Sequence, residues 1–318
     1  MKLPSKIFNK STIIGIVISL FLLCAFSVLF TNNVSAQTSG NDNDPWLVKP
    51  VLHYLLYTQD TKLESDVQQL KSDISLTNEE LEQLRSIAAE EFLKCRDFKK
   101  QIENDKNISY EQELKVSLQG SDSKLKTLLG KRYPEFRKWI RQWWSSETEY
   151  RNQRFKKQGD ISIKSDISSQ YVYATQYDAY TDREAALPDK YLKFANYGTD
   201  YTYPNPPYTV NIRSQVVGQP EYWAYYVFIK EAGPWNENDN YWDSATGSNP
   251  RRTFTDLPLG KPEAEAAYFD NYNNGLDEFD RTVLNPAGVD LSHDVATELG
   301  FGGPLVSRWV EVFYTDLP

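Results

Sequence analysis

Carboxylates are the side chains that could do chemistry in this chain. Asp290 sits in a G-V-D-L-S-H-D step, Glu231 in K-E-A-G-P-W, and Asp178 directly after a run ending at Tyr177. Carboxyls can divide general acid and general base work when their surroundings set their proton affinities apart. A carboxyl that donates at neutral pH must be held protonated by burial or by a like-charged neighbour. The D-L-S step also has a purely structural meaning: Ser292 can cap the helix that follows, with Asp290 bonding nearby amides.

Other chemistries find few residues. The chain has two His, His53 and His293, so a His-rich metal site is excluded, and neither lies in a nucleophile motif. There is no C-x-x-C and no H-E-x-x-H. Asn236-Glu237-Asn238-Asp239-Asn240 and Asp270 to Asp280 are rich in oxygen, which hard cations prefer. Neither has calcium-loop spacing, since Tyr272 breaks the second at its third position. Both read as solvated turns. No metal and no cofactor are expected.

The elements that must position the carboxylates fall into two halves. The chain is 318 residues long with formal charge -9. Lys2, Lys6 and Lys10 precede a charge-free, mostly apolar run from Ile13 to Phe30, and Val34-Ser35-Ala36 fits the small-residue cleavage rule. Residues 1–36 therefore read as a signal peptide, with an N-terminal membrane anchor as the alternative, since the run has the minimum spanning length. Without those three Lys the charge moves from -9 to about -12, which argues against a nucleic-acid partner. Cys95 is then the one thiol left, so no internal disulfide is available.

Residues 45–157 read as a helical domain. Leu63, Val67, Leu70 and Ile74 form an apolar stripe. Thr77-Asn78-Glu79-Glu80 is a capping box. The helix it opens carries Leu81, Leu84, Ala88, Phe92, Cys95 and Ile102 along one face, which makes Cys95 a core thiol. Gly120 and Gly130 punctuate two further short helices, and a long one runs from about Pro134 to Lys157. Its cations and aromatics, Lys131 to Trp144, read as an amphipathic split with Phe136, Ile140 and Trp143 or Trp144 inward. A surface for anionic polymer or headgroups is the other reading. Residues 158–170 read as a linker.

From Tyr171 on the grammar changes. Sixteen of the 21 Tyr lie between Tyr171 and Tyr314. Strand-like runs occur at Tyr171 to Tyr177, Tyr208 to Ile212, Trp223 to Ile229 and Val306 to Tyr314, with a short helix expected at Asp189 to Tyr197. No internal repeat is visible.

Four motifs here occur in family order. Ala174-Thr175-Gln176-Tyr177-Asp178 stands where a first strand reads near A-T-Y-Y. Glu231-Ala232-Gly233-Pro234-Trp235 stands for D-R-G-P-F. Val289-Asp290-Leu291-Ser292 with Ala296, Leu299 and Gly300 stands for I-D-L-S-x-x-A-A-x-x-L-G, and a last strand closes the chain. Residues 171–318 thereby resemble the double-psi β-barrel of the rare lipoprotein A and expansin families, which act on cell-wall polysaccharide. The resemblance implies that Asp290 is the acid of a glycosidic cleavage, with Glu231 as its neighbour in one groove and Asp178 as a third candidate. It implies hydrogen bonds to substrate from Thr175 and Tyr177, and a sugar-stacking platform of Trp235, Tyr241 and Trp242. Three features depart from the family. Glu231 replaces an Asp, and a long insert runs from about Asn236 to Ala287. The His that some members use has no counterpart between His53 and His293. In the helical half, L-T-N-E-E-L-E-Q-L-R from Leu76 to Arg85 looks like the L-T-x-x-Q repeats of Spy-type periplasmic chaperones, with Glu80 in place of the Gln.

The expected fold is thus multidomain α + β, a helical bundle followed by a six-stranded double-psi β-barrel with a long insert. The expected function is an exported envelope protein that binds or remodels cell-wall polysaccharide, peptidoglycan first, as a lytic transglycosylase or glycosidase. A non-catalytic carbohydrate- or protein-binding module and a chaperone-like helical protein are the alternatives. The partner is the polysaccharide, and a membrane is met only through an uncleaved N-terminal segment.

Overall fold

The computed structural model describes residues 44–104, 109–159, 169–178, 183–189, 208–244 and 251–314. The signal or anchor segment, most of the linker and most of the helix expected at Asp189 to Tyr197 lie outside the described residues.

The helical half holds α1 (Val51–Tyr57), α2 (Thr61–Asp73), α3 (Asn78–Asn104), α4 (Tyr110–Leu129) and α5 (Tyr133–Gly159). Local chemistry fixes several ends. The Asp60 carboxylate accepts from the amides of Lys62 and Leu63 to open α2. The capping box forms as read: Glu80 N donates to Thr77 Oγ1 at 3.1 Å and Thr77 N to Glu80 Oε2 at 2.9 Å. Gly130 ends α4 at φ 51. Gly120 does not break its helix, contrary to the expected pair of short ones. Nothing approaches its missing Cβ within 4 Å, so the one helix of 20 residues runs through it. The stripe of α2 and Cys95 of α3 are buried, as are Phe136, Ile140 and Trp143 of α5.

Six strands form a closed mixed barrel: β1 (Ser169–Tyr177), β2 (Glu184–Leu187), β3 (Thr209–Ser214), β4 (Tyr222–Ala232), β5 (Ala287–Ser292) and β6 (Arg308–Phe313), in the order β1-β5-β2-β4-β3-β6. The pairing has an internal echo that the sequence lacks. β1 runs parallel to β5 as β4 does to β2, and β1 runs antiparallel to β6 as β4 does to β3. The remaining pairs, β2–β5 and β3–β6, are antiparallel and link the two halves. The barrel interior is filled by alternate residues, among them Val172, Ala174, Val210, Ile212, Val227, Ile229, Val289, Leu291, Val310 and Val312.

A second core covers the outside of the barrel. Tyr173 of β1 and Trp309 of β6 pack into the same cluster as the helices. The insert joins them through α6 (Glu263–Asp270), whose Ala267, Tyr268 and Phe269 lie in that cluster with Val283 and Leu284. The described residues from Pro45 on accordingly pack as one unit. The last helix, α7 (His293–Glu298), is short. Ser292 caps it by accepting from Val295 N, and Gly300 follows it at φ 78.

Candidate functional site

Strand register sets the site. Val289 and Leu291 point into the barrel, so the residue between them, Asp290, faces outward. Thr175 of β1 pairs with Asp290 on one side, and Ala186 of β2 pairs with it on the other. Ala186 also pairs with Glu231 of β4. Thr175, Asp290, Ala186 and Glu231 thus form one row across four adjacent strands. Two strand spacings separate the acids, about 9.5 Å between backbones. The Thr175 hydroxyl donates to Asp290 Oδ1, which ties that carboxyl to the β1 side, away from Glu231. The methyl of Ala186 is the smallest side chain a strand can place between them, apart from glycine.

A second row lies beside the first. Tyr177 pairs with Ser292, and Ser292 Oγ accepts from Glu184 N at 3.3 Å. The Tyr177 hydroxyl donates to Glu184 Oε1 at 3.2 Å. Burial, then the charges of Glu184, Glu231 and Asp290, hold the Tyr177 phenol protonated far above its ordinary range. Of the three carboxylates, Glu184 is the one hydrogen-bonded to that ring's hydroxyl. Lys230 Nζ lies 3.7 Å from Glu184 Oε2, and both side chains are nearly enclosed. Burial lowers the Lys230 pKa, and Glu184 opposes the shift.

The D-L-S step divides its labour. Ser292 takes the capping role, while Asp290 belongs to the outward row. Asp178 faces elsewhere: His293 Nε2 lies 3.1 Å from its Oδ1. His293 Nδ1 donates to Gln176 Oε1 at 3.1 Å, because the nitrogen of that amide is taken by the carbonyls of Gly303 and Val306. A His and an acid are thus brought together at the end of β1, through a residue that follows the D-L-S step.

The expected stacking platform is corrected. Trp235, Tyr241 and Trp242 are exposed by 5%, 0% and 1%, and their faces are covered by protein. Trp235 Nε1 donates to Asn285 Oδ1 at 2.9 Å, the Tyr241 hydroxyl to Gly288 O at 3.1 Å, and Trp242 stacks on Tyr314 at 4.8 Å. The insert turns these rings inward as core. Among the described residues of the strands, the exposed aromatic rings are Tyr225 and Tyr226, with Trp223 stacked on Tyr225 at 5.3 Å. A bulge opposite Asn211 puts Tyr226 at φ 56, its amide held by Asn211 Oδ1 at 2.9 Å.

Glu184 and Lys230 are site residues that sequence reasoning missed. Glu184 opens a four-residue strand, E-A-A-L, without β-branched residues to mark it. Lys230 lies at the β2–β4 register shift, and its partner Glu184 stands on a different strand, distant in the chain.

Comparison with known proteins reaches the barrel. Residues 170–313, from the second residue of β1 to the last of β6, match the family model described as Domain of unknown function (DUF8814). No curated protein and no solved structure matches the chain.

Proposed function

We propose that this chain is an exported cell-envelope protein that binds and remodels cell-wall polysaccharide, peptidoglycan first, through a double-psi β-barrel of the rare lipoprotein A and expansin type. The observation that carries the reading is the cross-strand row Thr175–Asp290–Ala186–Glu231. Three of the family-like motifs lie far apart in the chain, yet their Thr175, Glu231 and Asp290 share one row on the outer face. Two parallel strand pairs set in an otherwise antiparallel ring, repeated between the first and last three strands, support the double-psi topology.

In this reading Asp290 is the acid/base at the glycosidic oxygen, positioned by Thr175. Glu231 orients water or a sugar hydroxyl from the far side of Ala186. Tyr177, whose one proton goes to Glu184, offers its phenol oxygen as an acceptor to substrate hydroxyls. Asp178 is set apart with His293 and serves the rim of the site. A non-catalytic carbohydrate-binding module is the second reading, and the replacement of the family's Asp by Glu231 favours it, because one extra methylene misplaces a carboxyl by about 1 Å.

The test uses the mature chain on isolated sacculi, with co-sedimentation and release of soluble fragments measured together. Retention with release supports remodelling. Retention alone supports the binding module. Neither retention nor release overturns the polysaccharide reading.

A further inference from the structure

Lys261 stands where the insert meets the helical half. It precedes α6 and is 4% exposed. Its Nζ sits among two acids and an amide: Glu265 Oε1 at 2.8 Å, Asp270 Oδ2 at 3.7 Å and Asn152 Oδ1 at 3.3 Å. Glu265 is itself 3% exposed. The Phe155 ring covers the amine, its centroid 5.1 Å from Nζ. A lysine buried this deeply is ordinarily satisfied by its ion pair alone. Here a carboxamide from another part of the chain shares the contact.

The orientation of the Asn152 amide follows from its partners. Lysine only donates and a carboxylate only accepts, so Oδ1 faces Lys261 while Nδ2 donates to Asp270 Oδ1 at 2.5 Å. The carbonyl carbon is one C=O bond of about 1.2 Å beyond Oδ1 and so lies within about 4.5 Å of Nζ. An attacking pair needs about 3–3.5 Å, which a small rotation of either side chain supplies. Asn152 is fixed in the middle of α5, and Glu265 and Asp270 belong to α6. The site thus holds an enclosed amine, a carboxyl to take its proton, and a carboxamide whose nitrogen already touches a second carboxyl. A base beside the amine is what turns a lysine into a nucleophile.

We propose that Lys261 and Asn152 form an isopeptide bond that staples the insert to α5. Glu265 takes a proton from the Lys261 ammonium, and the freed Nζ lone pair attacks Asn152 Cγ. The Nζ–Cγ bond forms, the Cγ–Nδ2 bond breaks, and Nδ2 departs as ammonium. The two protons that Nζ gives up are the two that Nδ2 gains, carried by Glu265 and Asp270. Nothing is oxidised or reduced, and no co-reactant is needed. A cleft of about 520 Å³, lined by Asn152, Phe155, Lys261 and Asp270, gives the ammonium a way out. The joined residues are 109 positions apart, with β1 to β4 between them. The described residues offer one thiol, the buried Cys95, so no disulfide among them could close that loop. The bond is indifferent to what the barrel binds.

The experiment digests the full mature chain under denaturing conditions and sequences the peptides by tandem mass spectrometry. The wild type should give a branched peptide that joins the segments around Asn152 and Lys261, lighter than the two together by one ammonia. Glu265→Gln should lose the branch and return both segments as linear peptides. Lys261→Arg, which keeps the charge without a nucleophilic amine, should lose it as well. Linear segments alone from well-folded wild type would overturn the bond. A branch that persists in Glu265→Gln would overturn the role of Glu265 as the proton acceptor. Should either variant fail to fold, the wild-type digest decides the bond by itself.

Discussion

Asp290 and Glu231 flank a single alanine. Each pairs directly with Ala186, from opposite sides, so two acids 59 positions apart in the chain stand on one row of the barrel's outer face. Thr175 holds Asp290 toward β1, and Glu231 lies beyond β2. Ala186 between them is buried, 4% exposed.

Thr175→Val tests the tether. The variant keeps shape and removes the hydroxyl that donates to Asp290 Oδ1. Stability should fall by about 1.5–3 kcal/mol, the worth of one bond to a charged group. Fragment release should fall by roughly 100-fold, the penalty of a carboxyl displaced by about 1 Å. Release assays and thermal melts on the same preparations separate the two effects.

Lys230→Met tests the enclosed pair. Lys230 is the cation beside the nearly inaccessible Glu184. Removing it leaves the carboxyl without that compensation and should cost about 3–5 kcal/mol. Adding Glu184→Gln to Lys230→Met should restore part of the loss. Urea denaturation of the two single variants and the double variant measures the coupling.

The helical half predicts a shaped pH profile. Burial, opposed by the Leu305 carbonyl and helped by Arg96, pushes His53 down to about 3. Its folded value lies below its unfolded one, so stability is present above about 6.5 and is lost as pH falls toward 3. Glu91 acts in the other direction. Burial, opposed by Ser121 and Trp46, raises it to about 8. The folded state then binds more protons than the unfolded one, so stability falls as pH rises from about 4.5 to about 8. Each effect is on the order of 4 kcal/mol. Glu91→Gln, which can still accept from Trp46 Nε1, should flatten the neutral side. His53→Gln, which can still donate to Leu305 O, should flatten the acid side. Chemical denaturation across pH 3–9 reads both.

Gly300→Ala should destabilise by about 1–3 kcal/mol. The residue sits at φ 78, and a Cβ there would come within 2.8 Å of the Tyr222 ring. Gly120→Ala is the control. It lies within α4 with no neighbour near its missing Cβ, and should stabilise by about 0.5–1 kcal/mol.

Local features were the legible ones. The Thr77–Glu80 box, the Asp290-Leu291-Ser292 step, the stop at Gly300 and the burial of Cys95 all depend on neighbours within a few residues or on one helix face. The four long strand runs were readable for the same reason. β2 was not, because four residues without β-branching carry no periodic signal. Trp235, Tyr241 and Trp242 show the opposite limit. An aromatic ring has the same sequence signature on a sugar platform and in a core, and only the fold of the insert decides between them. The Ala186 row was likewise out of reach, since it is set by pairing between strands that are distant in the chain.

The most direct measurement compares the wild type with Asp290→Asn on isolated sacculi, with thermal melting as the control for folding. The account predicts soluble fragments from the wild type, none from Asp290→Asn, and melting temperatures that agree within a few degrees. Equal release by a well-folded Asp290→Asn would contradict it, because the row across β1, β5, β2 and β4 would then not be the place where the polysaccharide is cut.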